Sequence, residues 1–300
     1  MSPVPPRCGM VALIGAPNAG KSTLVNRLVG AKVSIVSPKI QTTRRRVLGI
    51  VMADGAQLIL VDTPGIFQPK KRLERSMVNA AWEGAQDADL VVLLADVTEP
   101  DDADFLAIIE RLKTSGRTAI LALNKVDLVK REMLLGTAKR LAGEGIFDPV
   151  FMISGLTGDG VDDLKAHLAR AVPQGPFLYP EDQLTDLPQR LLAAEVTREQ
   201  IFLQLHEELP YASTVETEKW EERSDGSVRI DQIVFVQRPG QKAIVLGEGG
   251  QQIKRIGAKS RAELEKFLGR RVHLFLFVKV AKNWTEDRER YEALGLDYGK

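Results

Sequence analysis

Cysteine is almost missing: Cys8 is the single one in 300 residues. One thiol cannot close an internal disulfide, so a disulfide scaffold is excluded and a reducing compartment, the cytoplasm, is expected. Three histidines leave little from which to build a zinc site. His167 and His206 fall on helical stretches and His273 on an alternating strand, and none has a metal-like neighbour, so all three read as structural. Long apolar runs are also missing. Stretches such as Leu90–Ala95 fall well short of the ~18 residues that suggest a spanning helix, and they read as buried strands. No membrane span is therefore expected, although peripheral attachment to the cytoplasmic face of a membrane stays open. Met1–Pro6 lacks the charged segment and apolar run of a secretory leader, and none is expected. Strong charge of one sign is absent too. The formal net charge is +1, so the chain is no polycation, and any nucleic-acid site must come from local clustering. No Ser/His/Asp set or paired-carboxylate site stands out. Trp82, Trp220 and Trp284 read as packing residues.

What is present is ordinary core-forming composition, 44% apolar and 27% charged, in a chain long enough for two domains. From Met10 to about Val172, short apolar runs alternate with amphipathic segments. The runs are Met10–Ile14, Leu58–Val61, Leu90–Ala95, Thr118–Leu123 and Val150–Ile153, and the amphipathic segments include Asp104–Lys113 and Val161–Ala171. Strands alternating with helices predict an α/β fold, a mostly parallel sheet with helices on both faces. Its ligands belong beyond the C-terminal ends of the strands. Prolines 173, 176, 180 and 188 then break the pattern. The expected organisation is a first domain over residues 1–175, a linker over 176–188 and a second domain over 189–300. In the second domain, Gln189–Glu208 predicts a helix, and Ser213–Trp220 and Val228–Val236 predict a hairpin around Asp225-Gly226. A glycine cluster, a helix over Gln251–Leu268 and a strand over Val272–Val280 follow.

Gly15-Ala16-Pro17-Asn18-Ala19-Gly20-Lys21-Ser22 fits G-x-x-x-x-G-K-[ST] between a strand and a helix, with Thr23 next in that helix. Its glycines let the backbone curl around phosphate oxygens, and the helix that follows adds its positive end. Lys21 suits the β- and γ-phosphates, and the Ser22 hydroxyl suits Mg²⁺. Asn124-Lys125-Val126-Asp127 follows another strand. The Asp127 carboxylate can accept from N1–H and the 2-amino group of guanine, which adenine does not offer, so GTP rather than ATP is expected. Asp62-Thr63-Pro64-Gly65 places a carboxylate near Mg²⁺, where it acts through water, and an amide at Gly65 near the γ-phosphate. Between them lies Pro38-Lys39-Ile40-Gln41-Thr42-Thr43-Arg44-Arg45-Arg46, where a threonine completes the Mg²⁺ shell. Thr43 is preferred over Thr42. The same basic segment also reads as a surface loop or a phosphate contact for RNA.

These four motifs, in this order and spacing, resemble the translation-factor-related GTPases. Gln41-Thr42-Thr43-Arg44 and Pro17-Asn18 resemble the Era family in particular, over nearly the whole chain from Gly9 to about Gly295. The resemblance places a fifth motif at Ile153-Ser154-Gly155, whose backbone would meet the guanine O6; Gly155 stands where the family usually has alanine. It implies that Lys21, Thr43 and Gly65 serve hydrolysis, and that Asn18 helps hold a potassium ion near the phosphates. Ile66 stands where small Ras-like switches carry a water-orienting glutamine, so slow intrinsic hydrolysis is expected.

Val245-Leu246-Gly247-Glu248-Gly249-Gly250-Gln251-Gln252-Ile253-Lys254 holds G-x-x-G between helical stretches, and the order of elements around it resembles a KH domain of the bacterial type II, an α+β RNA-binding module. Such loops clamp the backbone of about four nucleotides. From Arg238 to Lys282 eleven Lys/Arg face three acids, Glu248, Glu263 and Glu265, which supports phosphate binding there over a merely solvated face. Gly247, Glu248, Gly249, Gly250, Lys254 and Arg255 are the expected contacts. Glu248 opposes phosphate, which leaves the clamp to Gly249, Lys254 and Arg255. The resemblance implies 16S rRNA near its 3′ end as the RNA, the 30S subunit as partner and its maturation as the role, with no DNA partner and a monomeric chain. The alternatives are a GTPase acting on another RNA, such as in tRNA modification, and an RNA-binding protein with a merely structural nucleotide site. Intact Lys21, Ser22, Asp62 and Asp127 oppose the last.

Overall fold

The computed structural model describes residues 5–206 and 208–298, apart from the side chain of Ala293. They form two compact units. One holds the chain up to Ser34, Thr43–Asp186 and the residues from Leu294 on, and the other holds Ile35–Thr42 with Leu187–Ala293.

In the first unit the elements run β1 (Arg7–Ile14), α1 (Lys21–Val29), β2 (Val47–Ala53), β3 (Ala56–Asp62), α2 (Arg72–Asp87), β4 (Leu90–Asp96), α3 (Ala103–Thr114), β5 (Ala119–Asn124), α4 (Arg131–Ala142), β6 (Phe147–Met152) and α5 (Val161–Ala171). The sheet order is β2-β3-β1-β4-β5-β6. Only the β2–β3 pair is antiparallel; β3, β1, β4, β5 and β6 pair in parallel. A central strand of a parallel sheet is covered on both faces, so β1 is apolar at successive positions rather than alternating. Its Val11 and Leu13 pack with Leu24, Val25 and Leu28 of α1 and Leu164 and Leu168 of α5. Its Ala12 and Ile14 pack on the other side with Ala81 and Trp82 of α2 and Phe105 and Ile108 of α3. Each such side chain taken fully from water contributes roughly 1.5–3 kcal/mol. This two-sided burial holds the strand ends, and the loops beyond them, in fixed positions.

The proline-broken stretch before residue 188 is pinned rather than slack. Gln57 on β3 accepts from the Leu178 and Tyr179 amides and donates to the Tyr179 carbonyl. The Leu184 carbonyl accepts from Ile50 N–H on β2. Most of the stretch therefore belongs to the first unit.

The second unit comprises α6 (Gln189–Gln204), β7 (Ser213–Glu222), β8 (Val228–Val236), α7 (Pro239–Leu246), α8 (Gln251–Leu268), β9 (Val272–Val280) and α9 (Arg288–Ala293). Its sheet order is β7-β8-β9, with β7–β8 antiparallel and β8–β9 parallel. Ala194 and Ile201 of α6, Val245 of α7 and Ile256 of α8 pack on Val215, Val234 and Val278. The helix expected to reach Glu208 stops at Gln204. Leu205 and Leu209 leave it to enter the core, and Pro210 cannot extend it.

Candidate functional site

The loop 15–20 leaves β1 and ends at Gly20, from which α1 starts. Asn18 has φ 61, a left-handed conformation that asparagine tolerates better than most residues. Lys21, the first residue of α1, is buried and donates back to the Gly15 and Ala16 carbonyls at 3.0 and 2.9 Å. Burial lowers its pKa to about 8, against the opposing charge of Asp62. A lysine held this way arches over the loop and lacks the hydration that would compete with a phosphate.

Asp62 ends β3, fully buried. Its Oδ2 accepts from Ser22 Oγ at 2.7 Å and from Ser34 Oγ at 2.5 Å, and Ser22 Oγ lies 2.9 Å from Thr43 Oγ1. Oδ1 of the same carboxylate is buried with no partner. Burial raises the Asp62 pKa, and the hydrogen bonds from Ser34 and Ser22 and the Lys21 charge offset this only in part. One orphaned carboxylate oxygen beside hydroxyls is an all-oxygen donor set that suits a hard divalent cation such as Mg²⁺. Of the two candidate threonines, Thr43 stands at Ser22. The Thr42 hydroxyl instead meets Ser37 Oγ and the Lys39 carbonyl.

The loop after β3 lies against the loop after β1. Thr63 Oγ1 donates to the Leu13 carbonyl, and Ile66 N–H to the Gly15 carbonyl. A Cβ on Gly65 would sit 2.9 Å from Pro17 Cα, so only glycine allows this approach. Pro64, between Thr63 and Gly65, fixes the turn. Ile66 itself is buried in the core.

Asn124, at the end of β5, joins two loops. Its Nδ2 donates to the Ala19 carbonyl at 2.7 Å, and its Oδ1 accepts from Gly155 N–H at 2.9 Å. Lys125 has φ 68, and its ammonium pairs with Asp96. Burial works against ionised Asp96, yet hydrogen bonds from Lys125 and Thr98 hold its carboxyl below the usual range. Asp127 is exposed in the turn that follows. Ser154 is buried, and its Oγ accepts from Thr157 N–H, closing the loop that presents Gly155. The structure thus gathers 15–22, Thr43, 62–65, 124–125 and 154–155 at the C-terminal end of one sheet, where such folds bind ligands.

Three contributors were missed by sequence reasoning. Ser34 bonds to Asp62, and Asn26 Oδ1 accepts from the Val33 and Ser34 amides, holding that serine in place. No local signal marks either residue. Asp96 could have been found as an acid at the end of a parallel strand.

In the second unit, Gly247, Gly249 and Gly250 have φ of 68, 57 and 76. A Cβ on Gly247 would meet Gln252 Cβ at 2.7 Å, whereas Gly249 and Gly250 face open space. The turn therefore offers bare backbone between α7 and α8. Glu248 is exposed on it, and Lys254 and Arg255 are exposed on the first turns of α8. This unit also holds the segment 35–42. The Val36 amide donates to Glu199 Oε1 at 2.8 Å, and Arg198 donates to the Thr42 carbonyl at 2.6 Å. The Lys39 ammonium caps the C-terminus of α6 on the Phe202 and Leu205 carbonyls. A cation there is favoured by the helix dipole. Among the described residues, no helix is long and apolar enough to cross a membrane.

Comparison with known proteins gives matches along the chain. A family model described as "50S ribosome-binding GTPase" matches residues 10–125, and a KH-domain model matches residues 208–285. GTPase Era of Bradyrhizobium diazoefficiens is 58% identical over 299 residues, covering 100% of this chain and 97% of the relative. GTPase Era of Rhizobium meliloti is 57% identical over 297 residues, covering 99% and 95%. A crystal structure of Era with MgGDPNP and nucleotides 1506–1542 of 16S ribosomal RNA superimposes with a TM-score of 0.91 at 37% identity, covering 96% of this chain and 98% of that one. An Aquifex aeolicus Era variant bound to GDP·AlF4⁻ gives the same TM-score of 0.91 and identity of 37%, covering 96% and 99%.

Proposed function

The chain belongs to the Era family of GTPases, a P-loop GTPase domain followed by a KH domain, and it hydrolyses GTP; we propose that its GTP cycle governs binding to 16S rRNA near the 3′ end and so assists maturation of the 30S subunit. The observation that carries this reading is the relative solved with MgGDPNP and that stretch of 16S rRNA, alike along 96% of this chain. Full-length relatives and both matched models favour it over an RNA-modifying GTPase.

In this reading the amides of Gly15–Ser22 cradle the phosphates, with Lys21 against the β- and γ-phosphates. Ser22, Thr43 and Asp62 hold Mg²⁺, Asp62 through water. When bound, that ion neutralises charge developing on the phosphate oxygens. The Gly65 amide meets the γ-phosphate. Asp127 selects guanine, Lys125 lines the base, and the Gly155 backbone meets O6. Ile66 cannot orient a water by hydrogen bonding, so intrinsic turnover is slow, and Asn18 helps hold a potassium ion that assists it. In the KH domain, Gly247–Gly250 clamp the RNA backbone with Lys254 and Arg255. The protein works as a monomer in the cytoplasm, with peripheral association at the cell membrane.

Coupling between the halves is supported by where the chain crosses from one unit to the other. Thr42 belongs to the KH-containing unit and Thr43 to the GTPase unit. Ordering Thr43 on Ser22 thus constrains a residue whose carbonyl is held by Arg198 of α6. The test is binding of short single-stranded RNAs, including the 16S 3′ end, with GTP analogue or GDP present. Selective, analogue-dependent binding that is lost in Gly247→Asp is expected. Equal affinity in both nucleotide states would refute the coupling, and absent selectivity would refute the RNA assignment.

A further inference from the structure

We infer that Ser34 is a positioning residue for Mg²⁺: it fixes the Asp62 carboxylate so that one oxygen stays free for the ion's water shell. The inference rests on the reading that Ser22, Thr43 and Asp62 hold Mg²⁺. The backbone of Asp62 is set by the sheet, where it pairs with Leu13 of β1 and Val47 of β2. What remains loose is the carboxylate, because the terminal torsion of an aspartate is broad. Ser22 Oγ and Ser34 Oγ both donate to Oδ2, at 2.7 and 2.5 Å, and Oδ1 is buried without a partner. A carboxylate has about two lone-pair sites on each oxygen. The two serines therefore fill one oxygen and leave the other whole. A buried acceptor left unpaired is costly, so two hydroxyls crowded on one oxygen do not satisfy this carboxylate for stability alone. The arrangement fits a group whose second oxygen is kept for a ligand.

Ser34 is placed for this by α1. Its backbone is held by Asn26, whose Oδ1 accepts from the Val33 and Ser34 amides at 2.8 and 2.9 Å and whose Nδ2 donates to the Ser34 carbonyl at 2.8 Å. An asparagine amide can make about four hydrogen bonds, and most of them are spent on these two residues. Ser22 and Asn26 both lie on α1, at the i, i+4 spacing that puts side chains on one face. So α1 grips Asp62 twice, directly through Ser22 and one turn later through Ser34. The Asn26 bonds all go to backbone atoms, so Ser34→Ala would keep them. The turn does not need the Ser34 hydroxyl; the carboxylate does. Outer groups that orient a metal ligand typically change metal affinity about 10–100-fold when removed. Asp62 meets the ion through water, which puts Ser34 at the low end of that range. Because Asn26 rather than the nucleotide holds Ser34, the effect should be equal with GDP and with a GTP analogue.

The experiment follows release of fluorescent GDP, and of a fluorescent GTP analogue, from the full chain as Mg²⁺ is titrated. In Ser34→Ala the Mg²⁺ concentration that half-maximally slows release should rise about 10-fold with either nucleotide. Ser34→Thr, which keeps the hydroxyl, should stay within about threefold of the unmodified chain. With EDTA present, Ser34→Ala should hold both nucleotides as tightly as the unmodified chain does. Equal weakening with and without Mg²⁺ would show a merely structural serine and overturn the inference. A Mg²⁺ midpoint that does not move in Ser34→Ala, or moves as far in Ser34→Thr, would overturn it too. Asp62→Asn separates the inference from the reading beneath it. If Asp62→Asn raises the midpoint and Ser34→Ala does not, the metal site stands and the positioning role falls. If Asp62→Asn leaves the midpoint unchanged, Asp62 does not serve the metal, and the inference falls with that reading.

Discussion

Removing the Asn124 side chain should melt the GTPase unit at a lower temperature before any nucleotide is added, whereas removing that of Asp127 should not. Asn124 is 2% exposed, and it ties the Ala19 carbonyl to the Gly155 amide through one side chain. In Asn124→Ala both backbone groups lose their partner in a buried place. Each orphan costs about 1–3 kcal/mol, and water entering the space left behind recovers part of that. A net loss of about 3 kcal/mol corresponds to roughly 6–12 °C for a unit of this size, at about 2–4 °C per kcal/mol. Asp127 is exposed, so Asp127→Ala should stay within about 0.5 kcal/mol in stability. On the proposed role it loses a charged acceptor for two guanine donors, about 3–5 kcal/mol of binding, or roughly 150- to 4,000-fold in GDP affinity. Thermal melts of the nucleotide-free variants, followed by titration with fluorescent GDP, separate the two. An Asn124→Ala protein that melts with the wild type would overturn the view that this residue braces the loops. An Asp127→Ala protein that melts several degrees early would overturn the division of labour.

Lys21 should take up a proton when phosphates arrive, because an anion raises a pKa that burial has lowered to about 8. At pH 8.5, without Mg²⁺, calorimetry of GDP binding in buffers of different ionisation enthalpy should report uptake of about 0.7 proton, absent in Lys21→Met. Gly65→Ala puts a methyl 2.9 Å from Pro17 Cα, which forces the two loops apart; hydrolysis should fall at least 10-fold while GDP affinity changes little, as single-turnover and binding assays would read. Hydrolysis should run faster in potassium than in sodium, with the difference lost in Asn18→Ala, and equal rates in both salts would remove the potassium site.

The nucleotide loops were legible because each motif is a contiguous string set against a strand end, where spacing alone fixes geometry. Gly15–Ser22, Asp62–Gly65 and Asn124–Asp127 all lie beyond strands that their apolar runs predict. The hydroxyl of Ser34 was not legible, since its approach to Asp62 depends on Asn26 holding the Val33 and Ser34 amides. The end of α6 was misread for a similar reason. The helical pattern continues to Glu208, but Leu205 and Leu209 are drawn into the core, and tertiary burial outweighs local propensity. The stretch before residue 188 reads as a tether by its prolines, yet Gln57, far away in sequence, satisfies its amides.

The segment 35–42 shows what such long-range pairing adds to function. Its sequence carries one charged residue, Lys39, and lies between a helix and a strand. Its placement comes from Glu199 and Arg198, which are buried at 3% and 1% exposure on α6 and meet the Val36 amide and the Thr42 carbonyl. The Arg198 guanidinium, paired with Glu195 on the same helix, donates as well to the Thr42 carbonyl, so the segment is held by a side chain that is itself fixed. Thr43, the next residue, carries the hydroxyl that stands at Ser22. On the proposed coupling, a nucleotide that draws Thr43 toward Ser22 and Asp62 acts on a segment fixed to α6 of the KH-containing unit at both Val36 and Thr42. By linkage the influence runs both ways with one coupling energy, typically about 1–3 kcal/mol. Arg198→Ala should accordingly reduce the effect of GTP analogue on RNA affinity and, by the same factor, the effect of RNA on affinity for the analogue. Titrating each ligand with and without the other measures both factors. If the variant changes one and spares the other, the two halves are not coupled through this segment.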